Sequence, residues 1–443
     1  MNTNSMKNKL VLIALTLVSL MGYGQQSELK VGLQDAIDLG LKNRYDVQAD
    51  QYNVLRADNE VGKSRKEWVP DISASGNLRY SPQIQATYIP GGFFGNEPGL
   101  VTLGAKSTTV LGLDLNQTIY KPGISTDIKI AKNSLELEKE KKRQNENHVK
   151  EQIANAYLGV VLRGVQSKIA ANDEQRYEEY LKVAEGKMKI GSLIENDYLK
   201  AKLDYENARV ETLKANQNYE LALENIKYQM NVPAETQLIL SDSLSSAGIL
   251  LGQLPTDYDV AKRTEIEQLI LQQQNNKLQI TKGRQNALPS VSLYANYSKQ
   301  FLYESFDYTL NQWWSPYSYV GLKLSVPITS NLKNRHTVRE HEIKSIQTNL
   351  NLKQKEADIN YEVQRASSEL ANALKNMNIA KSNYDLSRVI YQNQKQQYDL
   401  GSFQYSDLLD TDRSLNHTEQ NLVKSIYDYL VATISYQKAI GNY

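Results

Sequence analysis

Four segments of this chain alternate strictly between apolar and polar residues. From Asp71 to Ser81, the side chains of Ile72, Ala74, Gly76, Leu78 and Tyr80 share one side, and Asp71, Ser73, Ser75, Asn77, Arg79 and Ser81 share the other. Leu111, Leu113 and Leu115 alternate with Gly112, Asp114 and Asn116. Val291, Leu293, Ala295 and Tyr297 alternate with Ser292, Tyr294, Asn296 and Ser298, and Val320, Leu322, Leu324 and Val326 with Gly321, Lys323 and Ser325. A β-strand points successive side chains to opposite faces, so each segment predicts a strand with one apolar and one polar face. The strands are expected at about 71–89, 106–121, 290–303 and 316–328.

Elsewhere the period is helical. Residues 125–188 hold no Pro, and 330–400 hold neither Pro nor Gly. At 1.5 Å per residue these predict helices of roughly 95–105 Å. In the second, Ile359, Val363, Ala366, Leu370, Ala373, Met377, Ala380, Tyr384, Ser387 and Tyr391 are spaced alternately four and three apart, a heptad seam that reads as core packing. Shorter helices are expected at about 195–230 and 404–439, and earlier ones at about 33–66 and 258–286.

The chain repeats itself. Pro70-Asp71-Ile72-Ser73 matches Pro289-Ser290-Val291-Ser292, Leu111-Gly112-Leu113 matches Val320-Gly321-Leu322, and Gly191-Ser192 with Asp197 matches Gly401-Ser402 with Asp407. The offsets are 219, 209 and 210 residues, a period that marks a duplicated domain and not a solenoid. The expected organisation is a signal peptide over 1–24, a first repeat over 25–240, a connector over 241–257 and a second repeat over 258–443. Pro233, Pro255 and a Ser-rich patch mark the join between the halves as a stretch with little regular structure.

Composition then narrows the setting. Lys7 and Lys9 precede an apolar run from Leu10 to Met21, followed by Gly22-Tyr23-Gly24, which reads as a secretory signal peptide. The run is shorter than the ~18–20 residues that a membrane span needs, and no other segment has an apolar run of that length. Charge is balanced, with 51 Lys+Arg against 50 Asp+Glu, so composition gives no reason to expect a nucleic-acid partner. There is no Cys, which removes disulfides, thiolate metal sites and Cys nucleophiles. A mean hydropathy of −0.54 argues against a bundle of membrane helices.

Two-faced strands fit either a sandwich in water or a membrane barrel with its apolar face toward lipid. An exported chain with strands of roughly 10 residues favours the barrel. So do Tyr80, Tyr88, Tyr120, Tyr303, Trp313, Trp314, Tyr317 and Tyr319 near the strand ends, which match an interfacial aromatic belt. The long loop Ile89-Pro90-Gly91-Gly92-Phe93-Phe94-Gly95 suits an outer loop of such a barrel. Four strands do not close a barrel, which takes at least ~8, so the chain is expected to oligomerise. Two copies would supply eight strands and three twelve, and the sequence pattern leaves both open. The rival reading is a periplasmic or surface coiled-coil scaffold without channel activity, which explains the helices but not four duplicated two-faced strands.

With these elements in this order, the chain resembles the TolC-type outer-membrane efflux family. The resemblance covers nearly all of the mature chain and rests on the duplicated order of elements, the two Pro-x-[Ile/Val]-Ser strand starts and the two helix-turn signatures. It implies an α+β membrane duct: a homotrimer whose twelve-stranded outer-membrane β-barrel continues into a long antiparallel coiled-coil helical barrel in the periplasm. It also implies a periplasmic adaptor (membrane fusion) protein and an inner-membrane pump of RND or ABC type as partners, with efflux or type I secretion as the function. No enzyme activity and no cofactor are implied.

The resemblance further assigns Asp407, Asp410 and Asp197 to a periplasmic constriction, with Tyr398 placed to bond Asp197. It makes the turns carrying Gly191, Ser192, Gly401 and Ser402 the adaptor-docking surface. Some members carry an Arg two residues after the second Gly as part of a latch; here that position is Phe403. Independently of the family, Asp407 and Asp410 are three apart and share a helix face. A ring of Asp in a narrow passage favours cations, and its oxygens suit block by a hard divalent cation. No resident metal site is expected. His336 and His341 are five apart, off the i,i+4 spacing of a zincin, and His148 and His417 stand alone. There is no Gly-x-Ser-x-Gly elbow and no Walker-type loop.

Overall fold

The computed structural model describes residues 28–91, 97–242, 258–400, 402 and 404–442. The expected signal peptide, the loop centre over 92–96, most of the connector, Gly401 and Phe403 lie outside the described residues. In chain order the elements are β1 (Glu28–Val31), α1 (Leu33–Asn43), α2 (Tyr45–Arg65), β2 (Asp71–Tyr80), β3 (Ala86–Ile89), β4 (Gly99–Thr102), β5 (Ser107–Tyr120), α3 (Ile124–Lys189), α4 (Glu195–Met230), β6 (Gln237–Leu240), α5 (Thr264–Gln285), β7 (Ser290–Tyr303), β8 (Trp314–Ser325), α6 (Ser330–Asp399) and α7 (Tyr405–Ala439). Among the described residues no helix is long and apolar enough to cross a membrane.

Three elements differ from the sequence reading. The helix expected over 33–66 breaks at Arg44, whose backbone is extended. Its guanidinium binds Asp46 at 2.7 Å and donates to Gln152 and Gln229 at 3.0 Å, so tertiary partners hold the break. The strand expected over 71–89 is two. The backbone N–H of Ser81 still donates to Lys106 at 2.7 Å, but Pro82 has no N–H to continue the ladder, and β3 forms a separate hairpin with β4. The third is a parallel pair of β1 with β6, where no regular structure was expected, in register Leu29↔Leu238 and Val31↔Leu240.

The chain divides into two compact units, each drawn from both halves of the sequence. The first lies within Met1–Tyr52, Glu140–Glu267 and Lys353–Tyr443; the second is Asn53–Lys139 and Gln268–Leu352. In the first unit the core gathers around the middle of α3. Ile153, Tyr157, Leu158 and Val160 are fully buried with Ala36 of α1, Ile226 and Met230 of α4, and Ile434 of α7. One carboxylate ties this core to the strand pair: Asp242 accepts from the Tyr157 hydroxyl at 2.7 Å and from the Leu33 backbone at 3.0 Å. The second bond places a negative charge at the α1 N-terminus, where the helix dipole favours it. α4 ends at Asn231 in the left-handed region (φ 52°), with the Val232 N–H returning to the Lys227 carbonyl at 3.0 Å and Pro233 following.

The second unit is built on a four-stranded antiparallel sheet in the order β2-β5-β7-β8. Its helices are joined by polar pairs instead of a thick apolar core. Thr126 bonds Gln285 at 2.6 Å, Asn133 bonds Gln274 at 3.1 Å, Asn276 bonds Thr348 at 3.1 Å, and Lys282 pairs with Asp127 at 2.6 Å. Long helices with thin apolar seams can slide along one another, and buried amides fix their register.

Close packing in the first unit is open to a direct test. A Cβ at Gly40 would stand 2.1 Å from the Ile153 Cδ1, on a side chain with no exposed surface. Gly40→Ala should therefore destabilise the protein by about 1–3 kcal/mol. The urea midpoint of detergent-solubilised protein reads this shift.

Candidate functional site

The sheet of the second unit carries two chemically different faces. On one, Ile72, Leu78, Leu111, Leu113, Val320, Leu322 and Leu324 are each at least half exposed. Register confirms that they share a side: Ile72 stands opposite Leu115, Ala74 opposite Leu113, Val291 opposite Leu324 and Leu293 opposite Leu322. On the other face Asp114 of β5 bridges its neighbours. Its carboxylate accepts from Ser75 of β2 at 3.2 Å and from Asn296 of β7 at 2.7 Å, and Ser298 donates to Asn296 at 2.8 Å. The sheet thus turns a hydrogen-bonded polar network one way and a mostly aliphatic surface the other, with Lys299 and Gln117 toward its two ends. Among the described residues β2 pairs only with β5, and β8 only with β7, so both edges of the sheet are open.

Aromatic rings gather at one end. Phe301 is fully buried, with ring centroids of Tyr308 and Trp314 both at 5.2 Å, and Tyr303 packs on Trp313 at 5.2 Å. The Tyr308 hydroxyl meets that of Thr109 at 2.9 Å, which folds the loop after β7 back over the strand ends.

The other residues singled out by sequence lie at the helix turns of the first unit. α3 ends in a Schellman motif: Gly191 is left-handed (φ +71°), and the Ser192 backbone donates to the Lys187 carbonyl at 2.9 Å. The second turn repeats the pattern, with the Ser402 backbone donating to Gln397 at 2.9 Å and its hydroxyl at 3.0 Å. Ile190, Ile194 and Leu400 are strongly exposed at these turns. Asp197 stands in the first turn of α4, 3.5 Å from Lys200. Asp407 and Asp410 stand on the exposed side of α7, with Leu408 and Leu409 buried beneath them. Asp410 is 3.5 Å from Arg413, which reaches Asp204 of α4 at 3.0 Å. The Tyr398 hydroxyl accepts from Lys187 Nζ at 3.2 Å, and the same ammonium lies 4.5 Å from the ring centroid.

A charged cluster that sequence reading missed lies just above these turns. Arg176 of α3 binds Asp173 on its own helix and stands 3.1 Å from Asp412 of α7. Asp412 has no exposed surface, and neither of its carboxylate oxygens receives a well-aligned hydrogen bond. Asn416 of α7 donates to Asp173. Tyr180 and Tyr391 bond hydroxyl to hydroxyl at 2.8 Å beside them. Burial pushes the Asp173 carboxyl up to about 6; Arg176 opposes this, while Asp412 and Glu419 add to it. Asp412 and Glu419 are also raised, chiefly by burial. The signal in the sequence was the interruption of an apolar stripe: Leu408, Asp412, Leu415, Glu419 and Val423 follow helical spacing, and two of the five are acids.

Comparison with known proteins decides the family. A family model described as outer membrane efflux protein matches residues 36–231 and 260–442. The chain belongs to that family. Solved structures agree on the fold: the channel CusC has a TM-score of 0.76 at 18% identity, covering 95% of each chain. The CmeC outer membrane channel of Campylobacter jejuni scores 0.70 at 16% identity, over 93% of this chain and 85% of its own. VceC of Vibrio cholerae scores 0.70 at 12% identity, over 92% and 96%. No curated protein matches the chain by sequence.

This efflux protein is therefore an outer-membrane channel, an exit duct of an efflux system that extends into the periplasm. The family is one of transport channels and not of enzymes. Membership also explains an aliphatic sheet face left exposed by a single chain, which the scaffold reading did not. A Lys in the middle of the face that meets lipid costs about 2–4 kcal/mol, while the polar face tolerates charge. Leu113→Lys should therefore sharply lower the yield of membrane-assembled protein, and Ser75→Lys, on the Asp114 side, should leave it near wild type. Quantifying heat-resistant oligomer in outer-membrane fractions distinguishes the two faces.

Proposed function

We propose that three copies of this chain close one barrel and form a duct that passes substrates from an inner-membrane pump through the periplasm to the outside. The observation that carries this reading is the four-stranded sheet with two open edges, an exposed aliphatic face and a hydrogen-bonded polar face. Open edges in lipid leave backbone groups unpaired at several kcal/mol each, so β8 of one copy must pair with β2 of the next. Two copies would give a barrel of about 8 strands, whose interior side chains fill. Three give about 12 and leave a lumen wide enough for cargo.

In this reading the turns at Gly191-Ser192 and Gly401-Ser402 face a periplasmic adaptor protein, and the exposed Ile190, Ile194 and Leu400 support such a docking role. The pump is of RND or ABC type, and the cargo is a small molecule or a secreted protein. Asp407, Asp410 and Asp197 form the narrow periplasmic end, with Tyr398 at its flank. The exposure of Asp407 and Asp410 on one chain, with Asp197 half-buried, fits side chains that await a shared axis. Among the described residues of one chain no group of three acidic or imidazole side chains converges as a metal site, so divalent block would need carboxylates from several copies. Phe403 replaces the Arg of an ionic latch. Lys187, donating to Tyr398 from the end of α3, supplies a cation at this level of the coil instead.

Single-channel recording in a planar bilayer tests the whole reading. The wild-type protein should give small, cation-selective openings that a divalent cation on the periplasmic side blocks. Asp407→Asn with Asp410→Asn should raise conductance severalfold, reduce cation selectivity and abolish the block. Unchanged conductance and selectivity would remove both residues from the constriction while leaving the barrel. Failure of folded protein to insert at all would sink the duct.

A further inference from the structure

The charged cluster of α3 and α7 is costly for a purely structural contact. Position 412 lies between the buried Leu408 and Leu415 on the packed face of α7, where an apolar side chain would stabilise at least as well as a buried ion pair. Instead the position holds a carboxylate with no exposed surface, set against Arg176 without a well-aligned hydrogen bond. That guanidinium is shared. Asp173 binds it from the same helix, and Glu419 of α7 also feels its charge.

The neighbouring groups leave the cluster with excess negative charge. From α3 it is faced by Tyr177 and Tyr180, and from α6 by Tyr384, Tyr391, Arg388 and Lys395. Asp385 of α6 also acts on Tyr384. From α4 comes Asp204, which Arg413 of α7 neutralises at 3.0 Å. Arg388 lowers Tyr384 and Lys395 lowers Asp412 by their charge. At the centre, one guanidinium faces two almost fully buried carboxylates and a third, Glu419, half-buried.

Asp407 and Asp410 are five and two residues from Asp412 on one unbroken helix, so what seats Asp412 also places them. We propose that Arg176 is a positioning residue for the periplasmic constriction: through Asp412 it seats the first turns of α7 on α3, and Asp173, competing for the same guanidinium, loosens that seat as pH rises. The constriction part rests on the reading of Asp407 and Asp410 given above; the clamp itself does not.

The direction follows from linkage. A carboxyl held above its ordinary value binds its proton more tightly in the packed state than when released. The stabilisation is complete below the ordinary value of 3.8 and is lost as pH rises through about 6. Protonating Asp173 removes one of the buried carboxylates that compete for Arg176, and ionising it adds a negative charge to the buried cluster. Between pH 4.5 and 7.5 the seating equilibrium should weaken by roughly thirtyfold.

Two readouts on the full-length trimer test this. The first is hydrogen exchange over residues 405–412, corrected for intrinsic rates, and the second is single-channel conductance with pH varied on the periplasmic side. Wild-type exchange should accelerate roughly thirtyfold across that range, with conductance rising in step. Asp173→Asn keeps the shape and removes the surplus charge, so both responses should flatten at the low-pH level. Asp412→Asn leaves a matched Arg176–Asp173 pair within α3 but removes the seat of α7, so exchange should stand at the fast, high-pH level at every pH; this keeps the proposal testable if the first variant fails to assemble. Arg176→Lys keeps a cation and should retain part of the pH response, which a packing role alone would not require. An Asp173→Asn protein with the wild-type exchange profile overturns the proposal. If exchange responds and conductance does not, the clamp stands and the constriction reading of Asp407 and Asp410 falls.

Discussion

A β-sheet in hydrocarbon has no water to satisfy its edges, and that constraint governs this protein. One chain supplies four strands with open edges at β2 and β8. The aliphatic surface of Leu111, Leu113, Val320, Leu322 and Leu324 makes sense only when lipid covers it, and the edges only when another chain pairs with them. Assembly is thus not an addition to a finished fold. The Asp114 network shows the same logic from inside: a carboxylate facing a wet lumen needs partners of its own, and Ser75 and Asn296 on either side provide them.

The helical part answers a different demand. Helices of 66 and 70 residues with narrow apolar seams have little core per unit length. Register is therefore held by polar contacts between helices: Asn133 with Gln274, Asn276 with Thr348, Arg44 with Gln152 and Gln229. Each is weak alone, but each is satisfied at only one alignment. The Arg176 cluster is the extreme case, where whole charges do what amides do elsewhere.

Much of the fold was legible because its period is strict. Alternation from Asp71 to Tyr80 and around Leu113 marks strands by themselves, and the absence of Pro between Ser330 and Asp399 marks a helix. What escaped was set by distant partners. Arg44 breaks a helix because Gln152 and Gln229 lie more than 100 residues away in sequence and hold its side chain. β6 is four residues long and becomes a strand only against β1. For the candidate site, Asp197, Asp407 and Asp410 were expected from the family resemblance, through their place after two turn glycines. Asp412 and Arg176 were not, because nothing near either residue announces a partner 236 positions distant. The acids interrupting the apolar stripe of α7 were the available hint.

The hydroxyl pair of Tyr180 and Tyr391 joins residues 211 positions apart, close to the 210 residues between the two Gly-Ser turns. Seven residues on, Lys187 meets Tyr398, again 211 apart. The two long helices therefore run in the same direction and keep one register over this heptad. At the tyrosines the contact is still self-complementary: like meets like. One heptad later it is not, and a lysine faces a tyrosine. The tyrosine pair could be made with either helix in either role, whereas the lysine contact fixes which helix supplies the charge.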